Sequence, residues 1–494
     1  MFTDAEGLLA RPRARRAAVI ALAAFWGWPA QCAEPPADKL DTGIASRFMS
    51  ALGRAGIPRA STSLLVTRAD SGDVVAALSA DVPRNPASVM KMVTTFVALD
   101  TLGPGYRWRT EAFSTDRPDA KGHIGDLYLR GNGNPFWVTD EFNAFVRNIA
   151  ARGVAHIDGD LVLDRSYYFV APGDPGAFDG EPFRVYNALP TPLTLNFNAI
   201  TLSLVPNVAA HRLDVRMDPP VTTLEIDNQI ALNRRPCEAR HLQLRLDMDN
   251  DRAGLPQAVL SGRYPNRCRY YELTRALLTP TAQLVGAFDA RWTRDDRSWK
   301  GNYREGVVPD DAIAIYEQRS RTLAEVARSM NKFSNNVMAR QIFLTLGAEA
   351  TAAPATLEKA RAAVLDVLAR HRVDTDGLII DNGSGLSREA RISAHTLMGL
   401  LQAAQRHRYA PEFFAAMPVP GVDGTLAVRF PEPRFEGEAH VKTGTLDDVI
   451  GLAGHVRGAN GQAYLIVLLI NHKGIHLGTG RSLQKVLLRA IVPK

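Results

Sequence analysis

The sequence predicts a mixed α/β fold in which one domain, built from both ends of the chain, is interrupted by a long insertion. Two β-prone runs, residues 64–67 and 74–78, flank a turn at Gly72 and predict a hairpin. Near the other end, the apolar runs 449–456 and 463–470 predict a second hairpin. At 494 residues the chain exceeds the usual size of one domain, so we expect at least two.

Helical patterns complete this expected domain. Apolar residues repeat every three or four positions in 89–99, and a second helical pattern, 482–491, closes the chain. The segment between the two hairpins has strands, turns and a helical pattern of its own, and it is far longer than a loop. We therefore expect residues 34–105 and 306–494 to form one discontinuous domain, with residues 106–305 as inserted domains.

The N-terminus predicts export. Basic residues from Arg11 to Arg16 precede a short apolar run, 17–30, and small residues follow up to Ala33. This order is typical of a secretory signal peptide, which we expect to span residues 1–33 and to direct the chain to the periplasm. The alternative is an uncleaved membrane anchor, but the apolar run is short for a bilayer. No later stretch predicts a membrane span.

Charge and cysteine content limit the classes of function. Loss of residues 1–33 removes four arginines and two acidic residues, which takes the net charge from +6 to +4. That small excess comes without a basic tract, so we expect no nucleic-acid partner. Cysteine and histidine spacing predicts no metal site, and we expect no cofactor. Cys237 and Cys268 remain in an oxidising compartment, where either a disulfide, which we expect, or two free thiols would result.

Three short motifs occur in the order typical of a serine acyl-transfer site that uses no histidine. They are Ser88-Val89-Met90-Lys91, Ser334-Asn335-Asn336 and Lys442-Thr443-Gly444. Each motif alone is a weak signal, because Ser329 to Lys332 and Ser482 to Lys485 also satisfy Ser-x-x-Lys. Lys-Thr-Gly, in contrast, occurs once. The ordered trio therefore carries the prediction.

The first motif predicts a nucleophile and its base. Positions i and i+3 share one helix face, so Ser88 and Lys91 can point into the same cleft. A serine hydroxyl needs a base to take its proton, and a lysine serves only when burial and nearby positive charge lower its pKa. Lys442 would supply that charge and would attract a substrate carboxylate. The alternative is a helix-capping serine beside a solvated lysine.

The other two motifs predict substrate binding and proton transfer. Ser334 would relay a proton to the leaving nitrogen, or would simply cap the next helix, and Asn336 would hold a substrate amide. Gly444 on an edge strand would let a peptide dock alongside by strand addition. The backbone N–H groups of Ser88 and Thr445 could then bind the oxyanion.

Further blocks of the chain resemble low-molecular-mass class C penicillin-binding proteins of the type-4 D-alanyl-D-alanine carboxypeptidase/endopeptidase group. The blocks are residues 86–91, 186–188, 195–198, 331–336, 381–388, 421–426 and 442–446. The resemblance implies a penicillin-recognising α/β fold, related to serine transferases and β-lactamases, with helices on both faces of an antiparallel sheet. It also implies two smaller domains inserted after the helix of Ser88.

The resemblance implies hydrolysis of D-Ala-D-Ala ends or of peptide cross-links in peptidoglycan, through an acyl-enzyme that β-lactams also form. Ser88, Lys91 and Ser334 would then be catalytic, and Asn336 and residues 442–445 would bind the stem peptide. In this family an acid and an arginine grip a diamino acid side chain, and Asp164 and Arg388 are at the matching places. Asp447-Asp448 departs from the pattern, which has a neutral residue and then glycine.

Two other classes of protein share some of these features. A serine β-lactamase uses the same trio, but with a much shorter first spacing and no such insertion. A catalytically silent wall-binding protein would tolerate loss of Lys91 or Ser334, whereas every catalytic position is filled. A nucleophile elbow at Ser384 is excluded, because Asn382 occupies the place of the first glycine in Gly-x-Ser-x-Gly.

Overall fold

The computed structural model describes residues 42–250, 254–294, 296–458 and 461–493. The predicted signal peptide, residues 1–33, lies outside the described residues. None of the helices in the described part of the chain is long and apolar enough to cross a membrane.

The elements are numbered in chain order. The helices are α1 (Thr42–Arg54), α2 (Lys91–Leu102), α3 (Thr139–Ala151), α4 (Pro280–Trp292), α5 (Leu323–Phe333), α6 (Asn336–Ala350), α7 (Leu357–Arg370), α8 (Ala394–Arg406), α9 (Ala410–Ala415) and α10 (Thr479–Ile491). The strands are β1 (Thr62–Arg68), β2 (Val74–Leu78), β3 (Arg109–Ser114), β4 (His123–Ile124), β5 (Leu127–Gly131), β6 (His156–Ile157), β7 (Leu161–Asp164), β8 (Ile200–Asn207), β9 (Arg212–Asp218), β10 (Glu225–Asn233), β11 (Gln243–Asp249), β12 (Gln257–Pro265), β13 (Tyr271–Arg275), β14 (Ser298–Trp299), β15 (Tyr303–Glu305), β16 (Ile313–Arg319), β17 (Ala439–Leu446), β18 (Val449–Arg457) and β19 (Ala463–Asn471).

One five-stranded sheet joins the two ends of the chain. Its strand order is β17-β18-β19-β1-β2, and every neighbouring pair is antiparallel. Both predicted hairpins, β1–β2 and β18–β19, are present. Since β19 pairs with β1, the sheet brings together residues that are 396 to 408 positions apart, as the expected discontinuous domain requires. β17, which carries Lys442, is at the edge of the sheet.

Helices cover both faces of this sheet, so the domain has three layers. Adjacent strand residues point to opposite faces, and Leu64 and Leu65 of β1 show the division. Leu64 belongs to a core with Phe48 of α1 and with α10, whereas Leu65 belongs to a core with Phe96 of α2 and with α5 to α8. The predicted α/β class with an antiparallel sheet is therefore confirmed.

The strands from β3 to β16 form separate sheets. A mixed five-stranded sheet has the order β15-β7-β5-β3-β16, and three-stranded sheets have the orders β14-β6-β4, β13-β8-β9 and β10-β12-β11. These strands and helices α3 and α4 share a core of their own. β16 reaches residue 319, beyond the expected boundary at residue 305, because it pairs with β3. The division into 34–105, 106–305 and 306–494 stays a prediction.

Cys237 and Cys268 form a disulfide, with their Cα atoms 5.0 Å apart. Cys237 follows β10 and Cys268 follows β12, and these two strands are neighbours in parallel register. The crosslink therefore joins two chain segments at the same end of one small sheet, where Cys268 is buried.

Candidate active site

Ser88 lies in a tight turn at the start of α2. A short 3₁₀ turn, Ala87–Met90, leads directly into the helix, and Ala87 has a φ of 47°. An L-residue adopts this left-handed conformation only where the surroundings hold it. Here the Ala87 N–H donates to Oδ1 of Asn85 at 2.9 Å. The strained turn presents the half-buried Ser88 at the helix N-terminus, where free N–H groups favour negative charge.

Lys91 is fully buried on the first turn of α2, beside Ser88. Its Nζ donates to Oγ of Ser88 at 2.9 Å, to Oδ1 of Asn336 at 2.6 Å and to the carbonyl of Ser384 at 2.7 Å. Burial lowers the pKa of Lys91 well below its usual value, and the positive charges of Lys442 and Arg340 lower it further. The predicted nucleophile and base are thus in contact, and the base is one that can lose its proton.

The Ser-x-Asn motif connects two helices. Ser334 ends α5 in the left-handed conformation, with a φ of 55°. The N-cap of α6 is Asn335, whose side chain accepts from the Met338 N–H at 3.0 Å. The capping role considered for Ser334 therefore falls to Asn335, which leaves Ser334 and Asn336 to face the cleft.

The third motif lies on β17. Nζ of the buried Lys442 donates to Oγ of Ser334 at 2.9 Å and to the Thr443 carbonyl at 2.8 Å. Burial, and next the charge of Arg429, lowers the pKa of Lys442 to about 7. A Cβ added at Gly444 would lie 2.9 Å from the backbone nitrogen of Ser88. Glycine is required there because the edge strand packs directly against the nucleophile turn.

One cavity of about 360 Å³ brings the three motifs together. It is lined by Ser88, Phe178, Asp179, Tyr186, Ser334, Asn336, Leu386, Thr445, Leu446, Asp447 and His476. Lys91 and Lys442 lie behind this lining, each bonded to one of its serines. Thr443 is buried, whereas Thr445 is exposed and lines the cavity.

The insertion supplies one wall of this cavity through Phe178, Asp179 and Tyr186, which the sequence analysis did not assign. The Asp179 carboxylate accepts from the Tyr186 hydroxyl at 2.8 Å and from Nδ2 of Asn187 at 2.7 Å. Desolvation acts to raise the pKa of Asp179, but these two hydrogen bonds, a third from the Glu181 N–H and the charge of Arg388 together lower that pKa. The only sequence signal for this wall was the resemblance at residues 186–188.

The two residues expected to grip a diamino acid side chain differ in their placement. Arg388 lies over the ring of Phe178, 4.4 Å from its centroid, and its Nη2 is 3.6 Å from Oδ2 of Asp447. Asp164, in contrast, is buried at the end of β7 and accepts from the N–H groups of Ser166 and Val308 at 3.0 Å. Asp164 lines a different cavity, of about 640 Å³.

The expected placement of Asp164 is corrected by this geometry. Asp164 is the last residue of a buried strand, and its carboxylate oxygens accept local hydrogen bonds. The carboxylate therefore does not reach the cavity of Ser88. Asp179, fifteen positions further along the chain, is the acid of the insertion that lines that cavity.

The Asp447-Asp448 departure from the family pattern has a structural explanation. Asp448 adopts a φ of 64°, the conformation that glycine favours, and an aspartate tolerates it better than most residues. Its Oδ1 accepts from the Gly474 N–H at 2.7 Å, and its own N–H donates to Nδ1 of His476 at 2.8 Å. The turn is therefore fixed by the loop before α10, which also brings His476 into the cavity wall.

Ser384 has a structural place instead of a nucleophilic one. Its side chain is buried and bonds to Oδ1 of Asn382 at 2.7 Å. Its carbonyl is the third acceptor of Lys91, so the loop at residues 381–388 helps to hold the base.

Among the described residues, Asp100, His371 and His407 have the ligand types and the closeness of a metal site. Nε2 of each histidine lies within 3.2 Å of Oδ1 of Asp100, whose Oδ2 pairs with Arg370 at 3.0 Å. The Tyr409 N–H donates to Nδ1 of His407 at 3.2 Å, so the neutral ring carries its proton on Nε2. The group is thus a hydrogen-bonded cluster, and we assign no metal to it.

A serine held against a buried lysine, on a three-layer domain with an antiparallel sheet, defines a serine enzyme of the penicillin-recognising class. The chain belongs to the D-Ala-D-Ala carboxypeptidase 3 (S13) family, which matches residues 48–489. A D-alanyl-D-alanine carboxypeptidase from Actinomadura sp. is 30% identical over 408 residues, which are 79% of this chain and 74% of that protein. The D-alanyl-D-alanine carboxypeptidase DacB of Haemophilus influenzae is 22% identical over 387 residues, which are 78% and 80% of the two chains.

The fold is also that of a solved relative. The crystal structure of penicillin binding protein 4 (dacB) from Haemophilus influenzae is similar with a TM-score of 0.72 and 19% sequence identity. The similarity covers 89% of this chain and 99% of the other. The predicted family, fold class and enzyme class are therefore confirmed.

Proposed function

We propose that this chain hydrolyses D-alanyl-D-alanine ends, D,D-peptide cross-links or both in peptidoglycan, through an acyl-enzyme on Ser88. The observation that carries this proposal is the 2.9 Å contact between Nζ of Lys91 and Oγ of Ser88, with the lysine wholly buried. Burial beside Lys442 lowers the pKa of Lys91, so its neutral form can take a proton from serine.

In acylation, Ser88 Oγ attacks the carbonyl carbon between the two D-alanines while its proton passes to Lys91. The backbone N–H groups of Ser88 and Thr445 would bind the oxyanion that forms. The C–N bond then breaks, and the departing nitrogen takes a proton from Lys91 through Ser334, whose Oγ also contacts Lys442. In deacylation a water molecule attacks the acyl carbon and gives a proton to Lys91. The ester bond between this carbon and Ser88 Oγ then breaks, and Lys91 returns the proton to Ser88.

Substrate binding would use the remaining motif residues. Lys442 would attract the terminal carboxylate, with the hydroxyl of Thr445 as a hydrogen-bond donor, and Asn336 would hold an amide of the stem peptide. Because β17 is the edge strand, the peptide can pair with its backbone near Gly444. Thr443 is buried, so it would act through its backbone carbonyl on Lys442.

The acid that meets a third-position diamino acid would be Asp179 instead of Asp164. Asp179 lines the cavity, its low pKa keeps it ionised, and it can bind an ammonium group. Arg388 lies beside Phe178 at the same wall and can bind a carboxylate. Asp447 adds a second negative charge 3.6 Å from Arg388, which favours a cationic end of the side chain.

The setting of this activity is also a proposal. Residues 1–33 would direct the chain to the periplasm, where the stem peptides of peptidoglycan are its substrates and β-lactams are covalent inhibitors. The relatives named as carboxypeptidases and the penicillin-binding protein of similar fold support this class of substrate and inhibitor. Residues 106–305 would form the inserted domains that deliver Asp179.

Covalent labelling tests the nucleophile. A fluorescent penicillin should label the wild-type chain, and Ser88→Ala should abolish labelling while thermal unfolding stays nearly unchanged. Ser482→Ala is the matched control, because Ser482 and Lys485 repeat the Ser-x-x-Lys spacing at an exposed position on α10. Labelling that persists in Ser88→Ala would refute the assignment.

Two further measurements separate the alternatives. Digestion of purified muropeptides, monomer and cross-linked dimer, with mass spectrometry of the products distinguishes carboxypeptidase from endopeptidase. Rapid loss of the penicillin label in pulse–chase would indicate a β-lactamase instead. A chain that neither labels nor cleaves would be the silent wall-binding protein.

A further inference from the structure

Two residues of α6 hold the same turn of the insertion against the active site. Nδ2 of Asn336 donates to the Tyr186 carbonyl at 3.2 Å, and Nη1 of Arg340 donates to the Ala188 carbonyl at 2.9 Å. Positions four apart share one helix face, so the two side chains act side by side. Together they form a clamp on residues 186–188. We call these three residues the wall turn.

The wall turn in turn orients the acid in the cavity. The Tyr186 hydroxyl donates to Oδ2 of Asp179 at 2.8 Å, and Nδ2 of Asn187 donates to Oδ1 at 2.7 Å. A shift of the wall turn would therefore carry Asp179 with it. Arg340 is an anchor of this arrangement through its bond to the Ala188 carbonyl, and it does not line the cavity.

Arg340 is also one of the positive charges that lower the pKa of Lys91. The hydrogen-bond partners of Lys91 are Ser88, Asn336 and the carbonyl of Ser384, and Arg340 follows Asn336 by one helical turn on α6. In addition to burial, the positive charges of Lys442 on β17 and of Arg340 lower the pKa of Lys91. Arg340 itself faces the negative charge of Asp381. Burial lowers the pKa of Arg340 to about 10, so its guanidinium remains charged at neutral pH.

We propose that Arg340 is a positioning residue for acylation, which anchors the wall turn and keeps a fixed positive charge beside Lys91. A cation at this place opposes protonation of Lys91 and so holds more of it in the form that accepts the Ser88 proton. The inference rests on the proposed role of Lys91 as the base. It adds a residue outside the three motifs to the acylation machinery.

An arginine suits both parts of this role. Its guanidinium offers several donors in a plane, so it can hold backbone carbonyls, and it keeps its charge when buried. A lysine donates less rigidly and sheds its proton more readily on burial, as Lys91 and Lys442 show in the same region. Substitutions of Arg340 can therefore separate the effect of its positive charge from the effect of its hydrogen bonds.

The test compares Arg340→Gln and Arg340→Lys by the acylation rate with a fluorescent penicillin as a function of pH. Arg340→Gln keeps a hydrogen-bond donor, on a shorter side chain, but has no charge, so the acid limb of the profile should move up by about one pH unit. Below the midpoint the rate should fall about tenfold, while the position of the alkaline limb, which depends on Lys442, should stay unchanged. A buried lysine such as Lys442, with a pKa of about 7, is still charged at acidic pH, so Arg340→Lys should leave the acid limb in place.

A matched control and a second neutral variant complete the design. The control is Arg107→Gln. Arg107 also donates to a backbone carbonyl, that of Ser320 at 2.6 Å, but it is not among the charges acting on Lys91. The acid limb of this variant should therefore not move. Arg340→Met is a second neutral variant, made in case Arg340→Gln is destabilised. The pH profile of the acylation rate is then measured on the neutral variant that unfolds at the wild-type temperature.

The outcomes separate this inference from the proposed function. An acid limb that is the same in the neutral variant and the wild type would overturn the charge role of Arg340, although the wild type is acylated. A raised KM for a D-Ala-D-Ala peptide with no shift of the limb would reduce Arg340 to a structural anchor. A wild-type chain that is not acylated at all would refute the proposed function itself.

Discussion

Lys91 and Lys442 are both fully buried, and this shared burial decides what each can do. A buried ammonium loses the solvation that favours its charged form, and a second cation nearby adds repulsion, so both lysines have lowered pKa values. Lys91 shifts well below its usual value, whereas Lys442 shifts to about 7. One lysine is therefore suited to accept a proton, and the other keeps its charge in weakly acidic solution.

This difference predicts a bell-shaped pH dependence of kcat/KM for a D-Ala-D-Ala peptide. The rate should rise as pH passes the pKa of Lys91, because the base must be neutral. It should fall above about pH 7, because Lys442 then loses the charge that binds the substrate carboxylate. Steady-state kinetics across the pH range measures both limbs.

Lys442→Arg serves as the control, because arginine stays charged at any working pH. The alkaline limb should disappear in this variant, while the acid limb remains. A wild-type profile that keeps rising well above pH 8 would contradict the assignment of Lys442.

At this scale the sequence predicted the motif residues but not every partner. Ser88, Lys91, Ser334, Asn336 and Lys442 could be predicted because each lies in a short pattern whose spacing reflects local backbone geometry. Asp179 could not, because its place depends on how a long loop of the insertion packs on α6. Asp164 matched the family by position, yet β7 buries its carboxylate away from the cavity.

Among the elements, the edge strand β17 packs directly against the turn that carries the nucleophile Ser88. A Cβ at Gly444 would meet the Pro86 carbonyl oxygen at 2.5 Å, Cβ of Ala87 at 2.9 Å and the Ser88 nitrogen at 2.9 Å. Two of these three neighbours are backbone atoms, which cannot move without shifting the strained turn at Ala87. The strand and the turn therefore have to separate if Gly444 gains a side chain.

Gly444→Ala should consequently lower acylation of Ser88 by about a hundredfold, the scale expected for a displacement of about 1 Å. Overpacking should also reduce the free energy of unfolding by about 1–3 kcal/mol. Penicillin labelling rates and thermal unfolding give the two values. Gly53→Ala on α1, where the added Cβ meets nothing within 4 Å, should leave acylation unchanged and should not lower the free energy of unfolding.

The elements themselves were largely predictable, and the exceptions have physical reasons. Both hairpins and the helix after Ser88 follow from alternating or helical spacing of apolar residues. The helix begins with a 3₁₀ turn because Ala87 is held in a left-handed conformation by Asn85, and no periodicity shows that. β16 pairs with β3, which is some 200 residues earlier, and so extends the sheet of the insertion to residue 319. The spacing of apolar residues does not reveal so distant a pairing.

For the whole molecule, the sequence predicted the discontinuous domain because the catalytic motifs are separated by a segment too long to be a loop. It could not predict that this segment returns to the active site. Phe178, Asp179 and Tyr186 reach the cavity from the insertion, and the clamp from α6 holds them there. The insertion thus forms part of the cavity wall, while its disulfide joins segments that follow β10 and β12, which supply none of the cavity residues.

That separation predicts how the molecule responds to loss of the disulfide. Cys237 and Cys268 close a segment of 31 residues around β11 and β12, and a crosslink of this kind adds about 2–4 kcal/mol by restricting the unfolded chain. In the double variant Cys237→Ser, Cys268→Ser, amide hydrogen exchange should accelerate in β10, β11 and β12. Acylation at Ser88 should remain close to the wild-type rate, because none of these strands supplies a residue of the cavity. Reduction of the wild-type chain with dithiothreitol should reproduce both effects, and a large loss of acylation in either case would show that this sheet supports the wall turn after all.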